Sequence, residues 1–229
     1  MRRFKRNKKG QFVIIAVLLV AIMIVSIGAL LHGAVTYYRH EPWEEYSTLI
    51  RDVELNSRQL VELSLVDYTQ TGNPNVLSES LSSWQQDLLR IYPGIGINLE
   101  FTLANGQGLF SEWNQPVSYS AAKANFSLSI SSVGITGYAF TAETLLKLNI
   151  ERYDPNTNTT TLTVTSENNI PVSNLNSGNF KVNALPVNLT SSFNQGSLAL
   201  KYVISYEGQS PPTIEVWDQR GIHIIGYKP

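Results

Sequence analysis

The chain has 229 residues, no cysteine, 43% hydrophobic and 15% charged residues, enough apolar material for one or two folded domains and too much for a disordered chain. Its formal net charge of −1 conceals a separation: Arg2, Arg3, Lys5, Arg6, Lys8 and Lys9 lie in the first ten positions, and the remainder carries 11 basic against 18 acidic residues. A body short of Lys and Arg excludes an electrostatic nucleic-acid-binding surface. The lack of cysteine excludes disulfides, thiolate nucleophiles and thiolate metal sites.

After the basic decapeptide comes Gln11, then an apolar run over residues 12–31 broken only by Ser26 and Gly28. Twenty residues at about 1.5 Å rise reach roughly 30 Å, the thickness of a bilayer's hydrocarbon core, so this run is expected to be a transmembrane helix. It is too long for the hydrophobic region of a cleaved secretory signal. Its far flank carries Glu41, Glu44 and Glu45 with one Arg39. The cationic side is therefore expected to be cytoplasmic and the bulk of the chain extracellular, on a cell membrane crossed once. Tyr37, Tyr38 and Trp43 fit an aromatic belt at the outer interface.

The join Lys8-Lys9-Gly10-Gln11-Phe12 resembles the class III signal of archaeal type IV pilins and related surface proteins: a basic leader ending in Gly, a Gln, then a long apolar helix. The resemblance implies leader cleavage between Gly10 and Gln11 by a prepilin peptidase, and packing of the apolar helix into a filament core. Ile15 stands where many members carry a Glu that registers subunits. The alternative is an uncleaved anchor whose basic flank sets topology.

Pro42 should stop or kink the first helix. A second helix is expected over about 43–68, with Tyr46, Leu49, Ile50, Val53, Leu60 and Leu63 inward. Asn73 and Pro74 would open a third, in which Leu77, Leu81, Trp84, Leu88 and Ile91 share a face, ended by Pro93-Gly94. From Gly94 the period becomes two: Ile97, Leu99, Phe101 and Leu103 alternate with polar residues, and Asn105-Gly106 suits a tight hairpin turn. Phe126, Leu128 and Ile130 form another alternating run, and Leu146, Leu148 and Ile150 a further one. The helical hairpin should cover the apolar face of this antiparallel sheet, as an α+β domain over 40–154. Beyond a polar linker at 154–158, strands are expected over 161–165, 180–185, 198–204, 213–217 and 222–227, the last two as a hairpin. That spacing suggests an immunoglobulin-like β-sandwich over 155–229. The organisation expected is therefore a leader (1–10), a transmembrane or filament-core helix (11–39), the α+β domain and the sandwich.

Asn125, Asn158 and Asn188 each begin an Asn-x-Ser/Thr glycosylation sequon, and Asn125 should point to the wet side of its strand. Chemistry is sparse. His32, His40 and His223 are scattered with no metal-ligand spacing, so no metal site is expected. Ser120-Ala-Ala-Lys123 matches the Ser-x-x-Lys pair of penicillin-binding enzymes, but the companion motifs are missing. Asp154-x-Asn156-x-Asn158 opens like a calcium loop without its Gly or its final Glu. No catalytic residue, enzyme activity or cofactor is expected. The sequence thus predicts a membrane-anchored, pilin-like extracellular surface glycoprotein with a structural or adhesive role. Its partners would be the lipid bilayer, prepilin peptidase if it is processed, and itself in a filament, with no nucleic acid. The second expectation is a single-pass membrane protein whose β ectodomain binds a partner or ligand.

Overall fold

A computed structural model describes residues 8–39, 43–194, 200–207 and 212–228, with side chains over 16–32, 46–193, 200–207 and 212–228. The described residues combine helices with antiparallel β-sheets. The chain divides into two compact units, Met1–Asp52 and Val53–Pro229.

In the first unit, helix α1 (Lys8–Arg39) contains no Pro and runs unbroken through Gly10, Gly28 and Gly33, and its described side chains over 16–32 are all exposed. Val17, Met23, Val25 and Leu30 are each more than 60% exposed, at 63%, 65%, 70% and 73%. Among the described residues no helix is long and apolar enough to cross a membrane; side chains of α1 are described over residues 16–32, about 25 Å of helix. Residues 1–7 of the leader, His40, Glu41 and Pro42 lie outside the described residues, as do the side chains of Gln11, Ile15, Tyr37, Tyr38, Trp43, Glu44 and Glu45.

Helix α2 (Trp43–Thr71) runs into the second unit. Of the positions expected inward, Leu49 and Val53 are buried but Leu63 is 61% exposed. The buried stripe continues instead through Ser57, Val61, Ser64, Leu65 and Thr69. Two serines stand in that stripe, and one of them, Ser57, accepts a hydrogen bond from Trp84 Nε1 at 3.2 Å. Helix α3 (Val76–Ile91) starts after an Asx turn in which Asn73 Oδ1 accepts from the Asn75 N–H. Pro74 thus precedes the helix rather than sitting in its first turn. Leu77, Leu81 and Leu88 are buried as expected; Ile91, the last helical residue, is 56% exposed.

Strand β1 (Ile97–Leu103) follows the expected alternation, but Asn105-Gly106 makes no hairpin. Strands β1 and β2 (Leu109–Glu112) both pair with β3 (Val117–Ile130), one beyond the other along the same edge. The Asn-Gly pair, at φ 50° and 82°, therefore steps the chain sideways instead of reversing it. Strand β4 (Ile135–Asp154) is the long partner of β3, and β5 (Thr159–Thr165) pairs with β4 through the turn at residues 154–158. That turn was the expected linker. Because β4 and β5 are hydrogen-bonded neighbours, no domain boundary falls at 154/155; both sides belong to the second unit.

The remaining strands are β6 (Phe180–Val182), β7 (Leu185–Pro186), β8 (Asn188–Asn194), β9 (Leu200–Ser205), β10 (Thr213–Trp217) and β11 (His223–Tyr227). The larger sheet has the order β1-β3-β4-β5-β9-β8 with β2 beside β3, and the smaller has the order β11-β10-β6-β7. The β10–β11 hairpin is as expected. Strand β8 was not read from the sequence, because Asn-Leu-Thr-Ser-Ser-Phe-Asn lacks an apolar alternation.

Along β3 and β4 every even-numbered residue over 118–130 and 140–150 is buried, so the larger sheet has one dry face. Phe126 and Phe140 stack across it at 4.8 Å, while Lys123 and Glu143 pair on the wet face at 2.8 Å. One end of the dry face is covered by α3, whose Leu77 comes against Gly108. The other end is covered by the small sheet: β11 lies on β3 and β4, and the Phe180 and Tyr202 rings meet at 5.5 Å. The sheets come close together at Gly226, where an added Cβ would lie 2.7 Å from Leu148 Cδ2 and 3.0 Å from Ile150 Cδ1. Gly226→Ala is therefore expected to cost about 1–3 kcal/mol by pushing the sheets apart, measured as a lower midpoint in chemical denaturation.

Candidate functional site

Two features could carry function: the apolar helix α1, and the polar surface of the β unit. The backbone is helical from Lys8, so Gly10 and Gln11 lie within α1 rather than in a loop before it. Along 16–32 the only polar side chains are Ser26 and His32. The Ser26 hydroxyl donates to the Ile22 carbonyl at 2.8 Å, so its polarity is satisfied within the helix.

The three sequons fall in different environments. Asn125 lies on the wet face of β3, exposed, its Oδ1 accepting from Thr141 Oγ1 at 2.9 Å. Asn188 is exposed at the start of β8. Asn158 sits in the β4–β5 turn at φ 46° with its Oδ1 buried, and the hydroxyl of its sequon partner Thr160 is buried too; neither has a hydrogen-bond partner. Nearby, burial pushes the Tyr206 phenol up to about 12, reinforced by the neighbouring Tyr153 hydroxyl. Tyr206 Oη is close to the Tyr153 and Thr160 hydroxyls without the geometry of a hydrogen bond to either.

The Ser-x-x-Lys pair is not a pair in space. A spacing of three along a strand puts the two side chains on opposite faces. Ser120 is buried, donating to the His223 carbonyl at 2.8 Å, while Lys123 faces solvent against Glu143. The calcium-like segment is a hairpin turn: Asp154 Oδ1 accepts from the Asn156 N–H at 3.0 Å. Among the described residues no group of three or more His, Asp or Glu could hold a metal ion.

Two clusters that the sequence did not announce organise the β unit. Arg220, in the β10–β11 turn, donates through Nε to Asp218 Oδ2 at 2.7 Å and through Nη1 to Glu167 Oε1 at 2.7 Å and Thr144 Oγ1 at 3.0 Å. Its Nη2 donates to the Leu145 carbonyl at 3.1 Å, and Glu62 Oε2 of α2 lies 3.6 Å from Nη1. One guanidinium thus joins a helix, a sheet strand, the loop at 167–169 and its own turn. Desolvation would raise the Glu167 carboxyl, but hydrogen bonds from Arg220, the Leu145 N–H and Thr144 outweigh it and hold it below its usual value of 4.5. Desolvation acts against the Arg220 cation as well, and Glu167 and Asp218 more than offset it. These groups line a groove of about 310 Å³, yet their polar atoms are directed at one another, as in a structural clasp.

The second cluster is aromatic. Trp217 and His223 face each other across the hairpin with rings 4.4 Å apart and 9° from parallel. Trp113 meets His223 edge-on at 5.4 Å, and Lys181 Nζ lies 5.0 Å over the Trp217 ring. His223 Nε2 is 3.4 Å from Glu215 Oε2 without a hydrogen-bonding angle, and burial lowers the imidazole below its usual 6.5 despite that carboxylate.

Both lowered groups act in the same direction with pH. A carboxylate or imidazole whose folded pKa is depressed binds fewer protons folded than unfolded, so its contribution is present above the unfolded pKa and is lost as pH falls through the folded one. Stability should therefore decline as pH drops below about 6.5 through His223, and again below about 4.5 through Glu167. Thermal melts from pH 8 to 3 check this: Glu167→Gln should flatten the lower part of the decline and leave the upper part in place.

No family model, curated protein or solved structure matches the chain.

Proposed function

We propose that the protein is a membrane-anchored, pilin-like extracellular surface protein whose role is structural or adhesive. The observation that carries this reading is α1: an unbroken helix, apolar on every side over 16–32, every described side chain of which is exposed. A helix apolar all round needs an apolar medium, either lipid or the packed helices of a filament core. Six cations before the apolar run at 12–31 and an acidic remainder after it support a cytoplasmic N-terminus with the β unit outside. The Gly10-Gln11 join supports removal of the leader by a prepilin peptidase, and the exposed Asn125 and Asn188 sequons support glycosylation of the outer unit. The immunoglobulin-like description belongs to this proposal as architecture. The layers such a sandwich would use are the β11-β10-β6-β7 sheet and the β5-β9-β8 end of the larger one, which meet at Phe180 and Tyr202.

The test is fractionation of cells producing the full chain. The proposal expects the protein in the membrane or surface-filament fraction, resistant to alkaline carbonate, with residues 53–229 open to protease added outside intact cells. Recovery in the soluble fraction overturns it.

A further inference from the structure

Among the described residues the two sheets end in four edge strands, and β4 is also open before Lys147, where β5 does not reach it and Glu143 places a half-exposed charge; of the four end strands three are guarded. At β1, Gln85 Nε2 of α3 donates to the Leu99 carbonyl at 2.6 Å, Glu100 places an exposed charge on the strand, and the step at 104–106 breaks the edge before β2. At β11, residues 113–115 lie alongside: the Asn114 N–H donates to the Ile225 carbonyl and the Tyr227 N–H to the Gln115 carbonyl, at 3.0 and 3.1 Å. Strand β7 is two residues long and ends in Pro186. These are the devices by which sheet edges avoid pairing with another chain.

Strand β8 is different. It is seven residues long, pairs among the described residues on one side only, with β9, and contains neither a proline nor an ionisable residue. Its bulge, between Leu189 and Ser191, is near one end and leaves 191–194 in regular register. Ser191, Ser192 and Phe193 are exposed, Phe193 by 45%.

We infer that β8 is an interface between two copies of this chain, formed by antiparallel β8–β8 pairing across a two-fold axis. The neutrality of the strand selects this occupant. In a two-fold antiparallel pair centred near Ser191 only the residues about the centre face themselves or their near neighbours, so a charge at 190–192 would oppose its like; these positions are Thr, Ser and Ser, and serine and threonine facing one another are favourable cross-strand partners. The pairing would join two large sheets into one. It rests on the proposed anchoring in one respect, that copies held in one bilayer or filament meet at high effective concentration.

The absence of cysteine makes the test clean. Thr190→Cys, Ser191→Cys and Ser192→Cys are introduced singly into the full chain in detergent micelles, with Thr102→Cys on the guarded β1 edge as control. Residues facing each other in an antiparallel pair have Cα atoms about 4.5–5.5 Å apart, within disulfide range. One β8 position should therefore give disulfide dimer at about tenfold or more over Thr102→Cys. In the cysteine-free chain, Ser192→Lys should reduce the dimer fraction by about tenfold or more, because it sets two like charges together near the two-fold axis, with the far-UV circular dichroism of the folded chain kept. Equal cross-linking at β8 and β1 overturns the inference. So does a dimer that survives Ser192→Lys, which would be carried elsewhere, or a β8 cysteine that links to a different protein. The readout is mass in micelles, so a monomeric chain that still fractionates with membranes overturns this inference and leaves the anchoring reading standing.

Discussion

Arg220→Ala should destabilise the β unit by about 3–5 kcal/mol, the cost of removing one partner from a largely buried ion pair. The substitution strands two carboxylates at once: Asp218, whose side chain is 3% exposed, and Glu167, which is 30% exposed. It also deprives the Leu145 carbonyl and Thr144 of a donor and unties α2 at Glu62. For a unit of this size each kcal/mol shifts the melting temperature by about 2–4 °C, so a fall of roughly 10 °C is expected. Arg220→Lys keeps the charge but not the fork that reaches several acceptors, and should recover only part of the loss. A melting temperature unchanged in Arg220→Ala would mean that the clasp is a solvated ion pair of small worth.

The second large effect concerns α1. Val25→Arg places a cation at the middle of the apolar run, where insertion scales assign about 2.5–3.5 kcal/mol against a bilayer environment. Every 1.4 kcal/mol is tenfold in an equilibrium, so the carbonate-resistant fraction should fall by about a hundredfold, while residues 53–229 keep their melting temperature. Val25→Leu should be silent. The contrast reports the medium around the helix, because a charge on a helix surrounded by water costs little.

Period was the most legible property of the sequence. The strands of β1, β3 and β4 were visible because one face is dry and the other wet, and the β10–β11 hairpin was visible for the same reason. What escaped follows from the same physics. The stripe of α2 passes through Ser57 and Ser64, small polar residues that a hydrophobic pattern does not mark, so the pattern points Leu63 inward although it is exposed. Asn105-Gly106 supplies positive φ at two successive positions, and that chemistry serves a sideways step as well as a reversal; only pairing with β3 decides between them. The polar stretch at 154–158 has the composition of a linker and the composition of a turn alike, and the partner strands on either side settle it.

The candidate sites were legible to a lesser degree. Sequons are local, and two of the three are exposed. Burial of the Asn158 carboxamide oxygen and the Thr160 hydroxyl depends on β9 and on Tyr206, far away in sequence. Glu167 and Arg220 are likewise joined only by the tertiary fold. The one local sign was Asp218 beginning a tight turn that Arg220 shares, where Asp218 Oδ1 accepts from the Arg220 and Ile222 N–H groups.

Anchoring of the apolar helix in a bilayer or filament core after removal of the basic leader is what the protein's own N-terminus reports. The most direct measurement is the N-terminal peptide of the native protein, identified by mass in the membrane or surface fraction of its own cells. A mature chain beginning at Gln11 in that fraction is predicted; a chain that still begins at Met1 and stays in the soluble fraction would contradict the account.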